Sequence, residues 1–222
     1  MTAETPGYIA VEGPIGVGKT SLAHRLAKSF GSELLLEAPE ENPFLARFYR
    51  NPQRAALATQ LFFLFQRSRQ AEALRQGDLF RPVRIADFLM EKDRLFARLT
   101  LDDDELALYE QVYRHVVPEA PQPDLVIYLQ APPVVLLERI RQRNRAYEQH
   151  IDAAYLQRLA DEYARFFYQY DDAPLLIVNA AQIDLVNNDR DYQELLEQVK
   201  SVGSGRHFFN PLPFDRVRER IL

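Results

Sequence analysis

Residues 8–20 read YIAVEGPIGVGKT, an apolar run followed by a glycine-rich turn and then by Lys19 and Thr20. The turn, residues 13–20, matches the pattern G-x-x-x-x-G-K-[S/T] at every fixed position. The run before it predicts a strand, and the residues after it predict a helix over 19–30. Because this is the context in which the pattern binds phosphates, the stretch predicts an α/β fold built on a P-loop.

Each residue type in this loop suits a phosphate ligand. Glycines let backbone N–H groups turn inward around phosphate oxygens, and the N-terminus of the following helix favours anions. Lys19 supplies positive charge to the terminal phosphates, and Thr20 supplies a hydroxyl to Mg²⁺. We therefore expect a nucleoside triphosphate with Mg²⁺ at this loop. The expected nucleotide-binding residues are Gly13, Gly16, Val17, Gly18, Lys19, Thr20 and Ser21.

Short apolar runs alternate with longer helical patterns along the rest of the chain. Strands are predicted at 8–11, 34–36, 83–86, 125–129 and 175–178. Helices are predicted at 19–30, 43–50, 53–76, 90–117, 133–144, 152–170 and 190–202. This alternation predicts a five-stranded parallel sheet flanked by helices. No linker divides the chain, so we expect one domain over 1–222, with the tail 203–222 left unassigned.

Composition excludes several classes of protein. The 222 residues include no cysteine, which excludes a disulfide framework, a thiolate metal site and a cysteine nucleophile. The 27 basic and 32 acidic residues give a net charge of −5, which disfavours nonspecific nucleic-acid binding. The N-terminus lacks signal-peptide features, and the longest strongly apolar run, 61–65, is too short to span a bilayer. We expect a cytoplasmic protein without nucleic-acid or membrane partners.

The motifs of other P-loop classes are missing. Strand 125–129 runs into Gln-Ala-Pro-Pro rather than the DxxG of regulatory GTPases, and residues 187–190 lack the lysine of NKxD. Asp87 is followed by Phe88, whereas motor and DNA-dependent ATPases usually have Asp-Glu at this point. Together with the length and acidity, these absences favour a small-molecule kinase.

A carboxylate follows the second predicted strand. Glu37 comes directly after strand 34–36. In open α/β sheets, ligands bind in the crevice at the carboxyl ends of the strands. Glu37 is therefore a candidate general base, whereas Glu40 and Glu41 better fit solvated loop acids.

The predicted helix 53–76 combines apolar and polar features. Its segment 55–65 is apolar almost all round, which predicts burial. Gln60 and Arg67 lie seven residues apart on one face, with Phe63 between them. Because buried polar groups need partners, this pair either satisfies the core or reads a polar ligand in an apolar pocket.

Three arginines mark the end of predicted helix 133–144. Arg139 and Arg143 share one helix face, and Arg145 follows in a polar stretch. They form either a solvated basic helix end or, in a P-loop kinase, a mobile lid that closes over the transferring phosphoryl group. We expect such a lid over about 139–150.

Taken together, these residues resemble the deoxynucleoside kinase family, which includes the deoxycytidine, deoxyguanosine and deoxyadenosine kinases and their bacterial relatives. The resemblance runs from about Tyr8 to Val178. It rests on the segment 37–45, EAPEENPFL, which is similar to the family's Glu-Pro motif, and on the joint spacing of the polar residues after it. It implies transfer of the γ-phosphoryl group of ATP to the 5′-hydroxyl of a deoxynucleoside, in nucleotide salvage.

The resemblance also implies individual roles. Glu37 would take the 5′-hydroxyl proton, Asp87 would lie near Mg²⁺ and that hydroxyl, and Asp93 would partner Arg67. The implied catalytic residues are Glu37, Lys19, Asp87, Arg139, Arg143 and Arg145. The implied substrate-binding residues are Glu37, Tyr49, Gln60, Phe63, Arg67, Asp87, Asp93 and Glu148. The implied Mg²⁺ ligands are Thr20 and Asp87.

The chain departs from the family pattern at three positions. Ala38 replaces the motif proline, Phe88 stands where many members have an arginine, and Ala97 stands where a base-stacking phenylalanine is often found, beside Phe96. These departures concern the charges around the reacting groups and the residue that stacks on the base.

Two other functions are compatible with the P-loop. A nucleoside monophosphate kinase of the thymidylate kinase type shares the loop and an arginine lid, but Glu37 would then face an acceptor phosphate, which is electrostatically poor. A nucleotide-gated binding module would need no turnover, but its switch motifs are missing. Within the kinase interpretation, deoxyadenosine, deoxycytidine or deoxyguanosine is favoured over thymidine, and the apolar helix 53–76 favours a homodimer.

Overall fold

The computed structural model describes residues 6–75, 83–117, 121–185 and 188–210. These residues form a six-stranded sheet in the order β2-β3-β1-β4-β5-β6, with every neighbouring pair parallel. The strands are β1 Tyr8–Glu12, β2 Glu33–Leu35, β3 Arg84–Ala86, β4 Leu125–Gln130, β5 Leu175–Asn179 and β6 Arg206–Phe209. The α/β fold with a parallel sheet flanked by helices is therefore confirmed.

The prediction of five strands is wrong, because a sixth strand lies in the segment that received no assignment. β6 pairs with β5 in register from Leu175 with Arg206 to Val178 with Phe209. This strand is short, lies at the sheet edge and has alternating exposed and half-buried residues. It therefore lacks the unbroken apolar run that marks a strand covered on both faces. Arg206 anchors it by donating to the backbone carbonyl oxygens of Phe167 and Tyr170.

Eight α-helices lie in the described ranges. They are α1 Lys19–Phe30, α2 Leu45–Arg50, α3 Ala56–Arg75, α4 Lys92–Thr100, α5 Asp103–Val116, α6 Pro133–Arg143, α7 Ala153–Gln169 and α8 Asp189–Ser201. Single 3₁₀ turns occur at Pro39–Glu41, Pro52–Arg54 and Ala146–Glu148. The predicted helix 53–76 is thus one 3₁₀ turn followed by α3, and its last residue lies outside the described residues.

The predicted helix 90–117 is in fact two helices. The Asp102 side chain accepts a hydrogen bond from the backbone N–H of Glu105 at 2.9 Å and so caps a new helix. Leu101 before it has an extended backbone, with φ −93° and ψ 148°. The extended Leu101 therefore ends α4, and the N-cap interaction of Asp102 begins α5.

Two hydrophobic clusters cover the two faces of the sheet. Alternate residues of a strand point to opposite faces, and Ile9 and Ile127 pack in one cluster while Ala10 and Val126 pack in the other. Because both faces are covered, the central strands read as continuous apolar runs. No helix in the described ranges is long and apolar enough to cross a membrane.

Helix α3 is only partly buried, contrary to the expectation from its apolar sequence. Leu64, Gln60 and Arg67 are buried, but Phe65 is 48% exposed. On α5, which packs beside α3, Leu108 is also 48% exposed. The described part of the chain therefore leaves apolar side chains of both helices open to solvent.

Candidate active site

The site lies at the carboxyl ends of three adjacent parallel strands. β1 leads into the P-loop, β2 leads to Glu37 and β3 leads directly to Asp87. Since β3 pairs with both β1 and β2, these three segments converge at one edge of the sheet. This edge is where ligands bind in open α/β sheets.

The P-loop has the tight backbone that its glycines allow. Gly16 has φ 84°, and a Cβ placed on it would lie 2.8 Å from the Leu136 carbonyl oxygen. The Lys19 ammonium donates to the Gly13 carbonyl oxygen at 2.7 Å and lies folded over the loop. Burial and the nearby Lys92 lower the pKa of Lys19 to about 8, although surrounding carboxylates oppose this shift. A phosphate anion at the loop would therefore stabilise the charged ammonium.

Glu12, the last residue of β1, is hydrogen-bonded to the first glycine of the P-loop. Its carboxylate is buried and accepts from the Gly13 N–H at 2.7 Å, the Leu89 N–H at 2.8 Å and the Tyr163 hydroxyl at 2.9 Å. It thereby joins the P-loop to the segment after β3 and to α7. Sequence reasoning missed this residue, although an acid at the end of a buried strand, directly before the first P-loop glycine, is a usable signal.

Asp87 links the P-loop to the segment after β2. One carboxylate oxygen accepts from the Thr20 hydroxyl at 2.5 Å, and the other accepts from the backbone N–H of Glu37 at 2.8 Å. The described residues contain no group of three or more acidic or histidine side chains that could hold a metal ion. Two oxygen donors nevertheless suit Mg²⁺, which usually keeps several waters and takes further oxygens from phosphates.

Both carboxylate oxygens of Glu37 contact a cation. One lies 2.6 Å from Nη2 of Arg67, and the other lies 2.6 Å from Nζ of Lys92. Burial alone would raise the pKa of Glu37, but the charges of Lys92, Arg67 and Lys19 outweigh it and hold the pKa well below its ordinary value. Glu37 is therefore an ionised hydrogen-bond acceptor. Sequence reasoning missed Lys92, which lies in the charged run 91–94.

The same cavity extends from Glu37 to a set of polar groups on α3 and α4. Arg67 Nε lies 2.6 Å from an Asp93 oxygen, while among the described residues Nη1 of Arg67 and Oδ2 of Asp93 are buried without partners. Burial raises the pKa of Asp93 to about 6, although Arg67 opposes the shift. The two side chains line the cavity, but these two unpaired atoms have almost no accessible surface.

The amide of Gln60 has a defined orientation. Its Nε2 lies 3.1 Å from the Thr100 hydroxyl, and that hydroxyl donates to the Phe96 carbonyl oxygen at 2.7 Å. Because the Thr100 proton is used, this hydroxyl can only accept from the amide N–H. The Gln60 carbonyl oxygen is therefore left for a ligand. Thr100 was not predicted to belong to the site.

The remaining predicted substrate residues line this cavity. They are Tyr49, Phe63 and Glu148. Phe96, which was not predicted to bind the substrate, also lines the cavity. Ala97, by contrast, is fully buried in another cluster, with Leu64 and Tyr109, so Phe96 is the aromatic residue of this segment that faces the cavity. The Tyr49 ring meets Tyr155 edge-on, and burial raises the pKa of Tyr49.

The three predicted arginines lie in different places. Arg139 donates to the carbonyl oxygens of Val17 at 3.2 Å and Ala180 at 2.8 Å, outside the cavity of Glu37. Arg143 pairs with the buried Glu148 at 2.6 Å, and Arg145 donates to the Tyr147 hydroxyl at 2.7 Å. Arg143 and Arg145 line the cavity of Glu37.

A second cavity also borders the P-loop. It is lined by P-loop residues, by α6 and by the segment 180–185. Its lining includes the predicted nucleotide-binding residues Gly16, Val17, Gly18 and Ser21, and also Arg139 and Arg143. Gly16 and Arg143 line both cavities. Two cavities that meet at a P-loop can hold a phosphoryl donor and an acceptor, so the fold and site define a P-loop phosphotransferase of small molecules.

The comparisons with known proteins give the family. The sequence model of the deoxynucleoside kinase family matches residues 9–203, and the chain therefore belongs to this family. A deoxyguanosine kinase of Bacillus subtilis is 35% identical over 207 residues, covering 89% of this chain and 98% of the relative. A deoxyadenosine/deoxycytidine kinase of the same organism is 28% identical over 202 residues, covering 87% and 92%.

Solved structures agree with this assignment. The deoxyadenosine kinase from M. mycoides, with dCMP and a flexible dCDP bound, has a TM-score of 0.77 and 26% sequence identity and covers 88% of this chain and 100% of its own. A structure of the same enzyme with dATP also has a TM-score of 0.77. The expectation of a deoxynucleoside kinase is confirmed.

Proposed function

We propose that this protein transfers the γ-phosphoryl group of ATP to the 5′-hydroxyl of a purine deoxynucleoside, with deoxyguanosine preferred. One observation carries the proposal. The ionised Glu37 shares one cavity with the P-loop residue Lys19 and with Gln60, whose carbonyl oxygen is left for a ligand. A nucleoside has a hydroxyl at one end and a polar base at the other, and it matches this arrangement.

Glu37 has the position of a proton acceptor. Its low pKa makes it a weak base, but it is ionised at neutral pH and can orient the hydroxyl and take its proton as the phosphoryl group transfers. Phosphoryl transfer depends mainly on positioning and on charge stabilisation, so a strong base is not required. Lys19 would stabilise charge on the phosphates of ATP, beside the position where the acceptor oxygen would stand.

Thr20 and Asp87 would hold Mg²⁺. The hydroxyl and the carboxylate are in contact, and both are hard oxygen ligands. When bound, Mg²⁺ offsets negative charge on the phosphoryl groups of the donor. Asp87 also fixes the backbone of Glu37, so it would couple the ion's site to the proton acceptor.

The arginines at the end of α6 would complete the site. Arg143 lines both cavities and would act on the transferring group, with Arg145 beside it and Arg139 on the donor side. Segment 139–150 would act as the lid that excludes water, so that the nucleoside hydroxyl competes with hydrolysis. Glu148, paired with Arg143, together with Tyr49 would contact the sugar.

The identities with the named relatives favour guanine as the base. The 35% identical relative is a deoxyguanosine kinase, and the relative that acts on deoxyadenosine and deoxycytidine is only 28% identical, which favours deoxyguanosine.

A substrate panel tests the proposal. ADP release from Mg-ATP is measured with each of the four deoxynucleosides, with dGMP and without acceptor. We expect the highest kcat/KM with deoxyguanosine, a lower value with deoxyadenosine and the lowest with thymidine. Release that occurs only with dGMP would instead indicate a monophosphate kinase, and release that is independent of an acceptor would indicate an ATPase.

Other expectations about the whole chain remain proposals. A homodimer would cover the exposed Phe65 and Leu108 on α3 and α5, and Phe65→Glu should then lower the mass measured by sedimentation. We also propose one domain over 1–222, a cytoplasmic location and no nucleic-acid partner. The last two rest on the acidic composition and on the nucleoside as substrate.

A further inference from the structure

Lys92 makes a contact for which no role has been assigned. Its ammonium lies 2.6 Å from Oε2 of Glu37, and its side chain is only 8% exposed. It is the first residue of α4, and the Phe96 ring lies 5.5 Å from its ammonium. Within the described part of the chain, this ammonium donates a hydrogen bond to Glu37.

A buried position at the N-terminus of a helix is unfavourable for a charged lysine unless an acidic group pairs with it. Burial disfavours the ammonium, the N-terminus of a helix repels cations, and ordering a long side chain costs entropy. The charge of Glu37 reverses the effect of burial and raises the pKa of Lys92 above its ordinary value. The contact with Glu37 is therefore what keeps a charged lysine at this position.

Within the described ranges, Lys92 is the cation that contacts Oε2 of Glu37. Phe88, directly after Asp87, is fully buried, and its ring lies under the Arg67 guanidinium at 5.2 Å. Arg67 itself contacts the other oxygen of Glu37 and is anchored by Asp93. Removing Lys92 would leave the anchored Arg67 in place and release one side of the carboxylate.

We propose that Lys92 is a positioning residue of the phosphoryl-transfer reaction. Its ammonium holds the Glu37 carboxylate in the orientation in which it accepts the proton of the 5′-hydroxyl. Lys92 acts through Glu37, the side chain that its ammonium contacts, and not through binding of the base. The inference rests on the proposed function, because that function makes Glu37 the proton acceptor.

A double-mutant cycle tests this inference. Lys92→Met keeps the length and the apolar stem of the side chain but removes its charge, and Lys92→Arg restores the charge. Because displacing a reacting group by about 1 Å can cost about 10²-fold, we expect Lys92→Met to lower kcat by about 10–100-fold. The deoxyguanosine KM should stay within about threefold, and Lys92→Arg should recover most of kcat.

The cycle is completed by measuring Lys92→Met in the Glu37→Gln background. If Lys92 acts through Glu37, the second substitution should lower kcat by less than about twofold there. Arg94→Met is the matched control, because Arg94 lies on the same helix and pairs with Glu110 at the surface, 3.0 Å away. This control should keep the wild-type kcat and KM.

Several results would overturn the inference. They are an unchanged kcat in Lys92→Met, a rise in KM alone, and an equal further loss of kcat in the Glu37→Gln background. If Lys92→Met does not fold, Lys92→Gln replaces it, and equal kcat values for Lys92→Gln and Lys92→Arg would contradict the role of charge. A wild-type enzyme inactive on every deoxynucleoside would refute the proposed function itself, which separates the two failures.

Discussion

Replacing Gln60 by leucine tests how the cavity selects its substrate. The side chain is 3% exposed, and its carbonyl oxygen is the group left for the base once Thr100 has taken the amide N–H. In Gln60→Leu, the polar edge of the base would face a methyl group in place of that oxygen. An unpaired buried group costs about 1–3 kcal/mol, which corresponds to roughly 5–150-fold in kcat/KM. The KM for ATP should change little, because ATP would occupy the other cavity.

Thr100→Val extends the same prediction. It removes the hydroxyl that orients the amide and keeps the shape of the side chain. Loss of one hydrogen bond costs about 0.5–1.5 kcal/mol, so kcat/KM should fall by roughly 2–13-fold. Discrimination between bases should also weaken, because the freed amide can reverse its orientation.

The assay measures kcat/KM for the four deoxynucleosides together with the melting temperature. Gln157→Leu is the matched control, because Gln157 is exposed on α7 and its amide donates to Asp161. If Gln60→Leu changed the melting temperature but left both the efficiency and the order of preference unchanged, Gln60 would be a core residue and the reasoning would be refuted.

Two further predictions concern the lid and a buried acid. Arg145→Ala should lower kcat more than it raises the deoxynucleoside KM. Arg141 is exposed, and Arg141→Ala should keep the wild-type kcat and KM. A change in KM alone would make Arg145 a binding residue. Because burial raises the pKa of Asp93 from 3.8 to about 6, the folded state binds this proton more tightly than the unfolded state. The free energy of unfolding of wild type minus that of Asp93→Asn should therefore fall as the pH rises from about 4 to about 6, and a flat difference in urea titrations would contradict this.

The sequence predicted the parts of the site that are carried by local patterns. The P-loop has a fixed spacing, and Glu37 follows a strand whose end must face the ligand crevice. Gln60 and Arg67 stood out because polar residues on an apolar helix require partners. These signals depend only on short stretches of the chain, which is why they could be read without a structure.

Other parts depend on packing between distant segments. Lys92 lies in the run Glu-Lys-Asp-Arg, which resembles a solvated helix start, and only the approach of α4 to the end of β2 brings it to Glu37. Thr100 orients the Gln60 amide because its hydroxyl lies within hydrogen-bond distance of that side chain on α3. Glu12 joins the P-loop to α7 because it accepts a hydrogen bond from Tyr163. The edge strand β6 has half-exposed residues and therefore no strong hydrophobic signal.

The most direct test of the account is the turnover of Glu37→Gln with deoxyguanosine and Mg-ATP. This substitution keeps the shape of the side chain and removes the charge held by Lys92 and Arg67. We expect kcat to fall by about 10²–10⁴-fold, the usual contribution of positioned proton transfer, while the Kd for ATP remains within about threefold. Turnover at the wild-type rate would contradict the assignment of Glu37 as the group that accepts the 5′-hydroxyl proton.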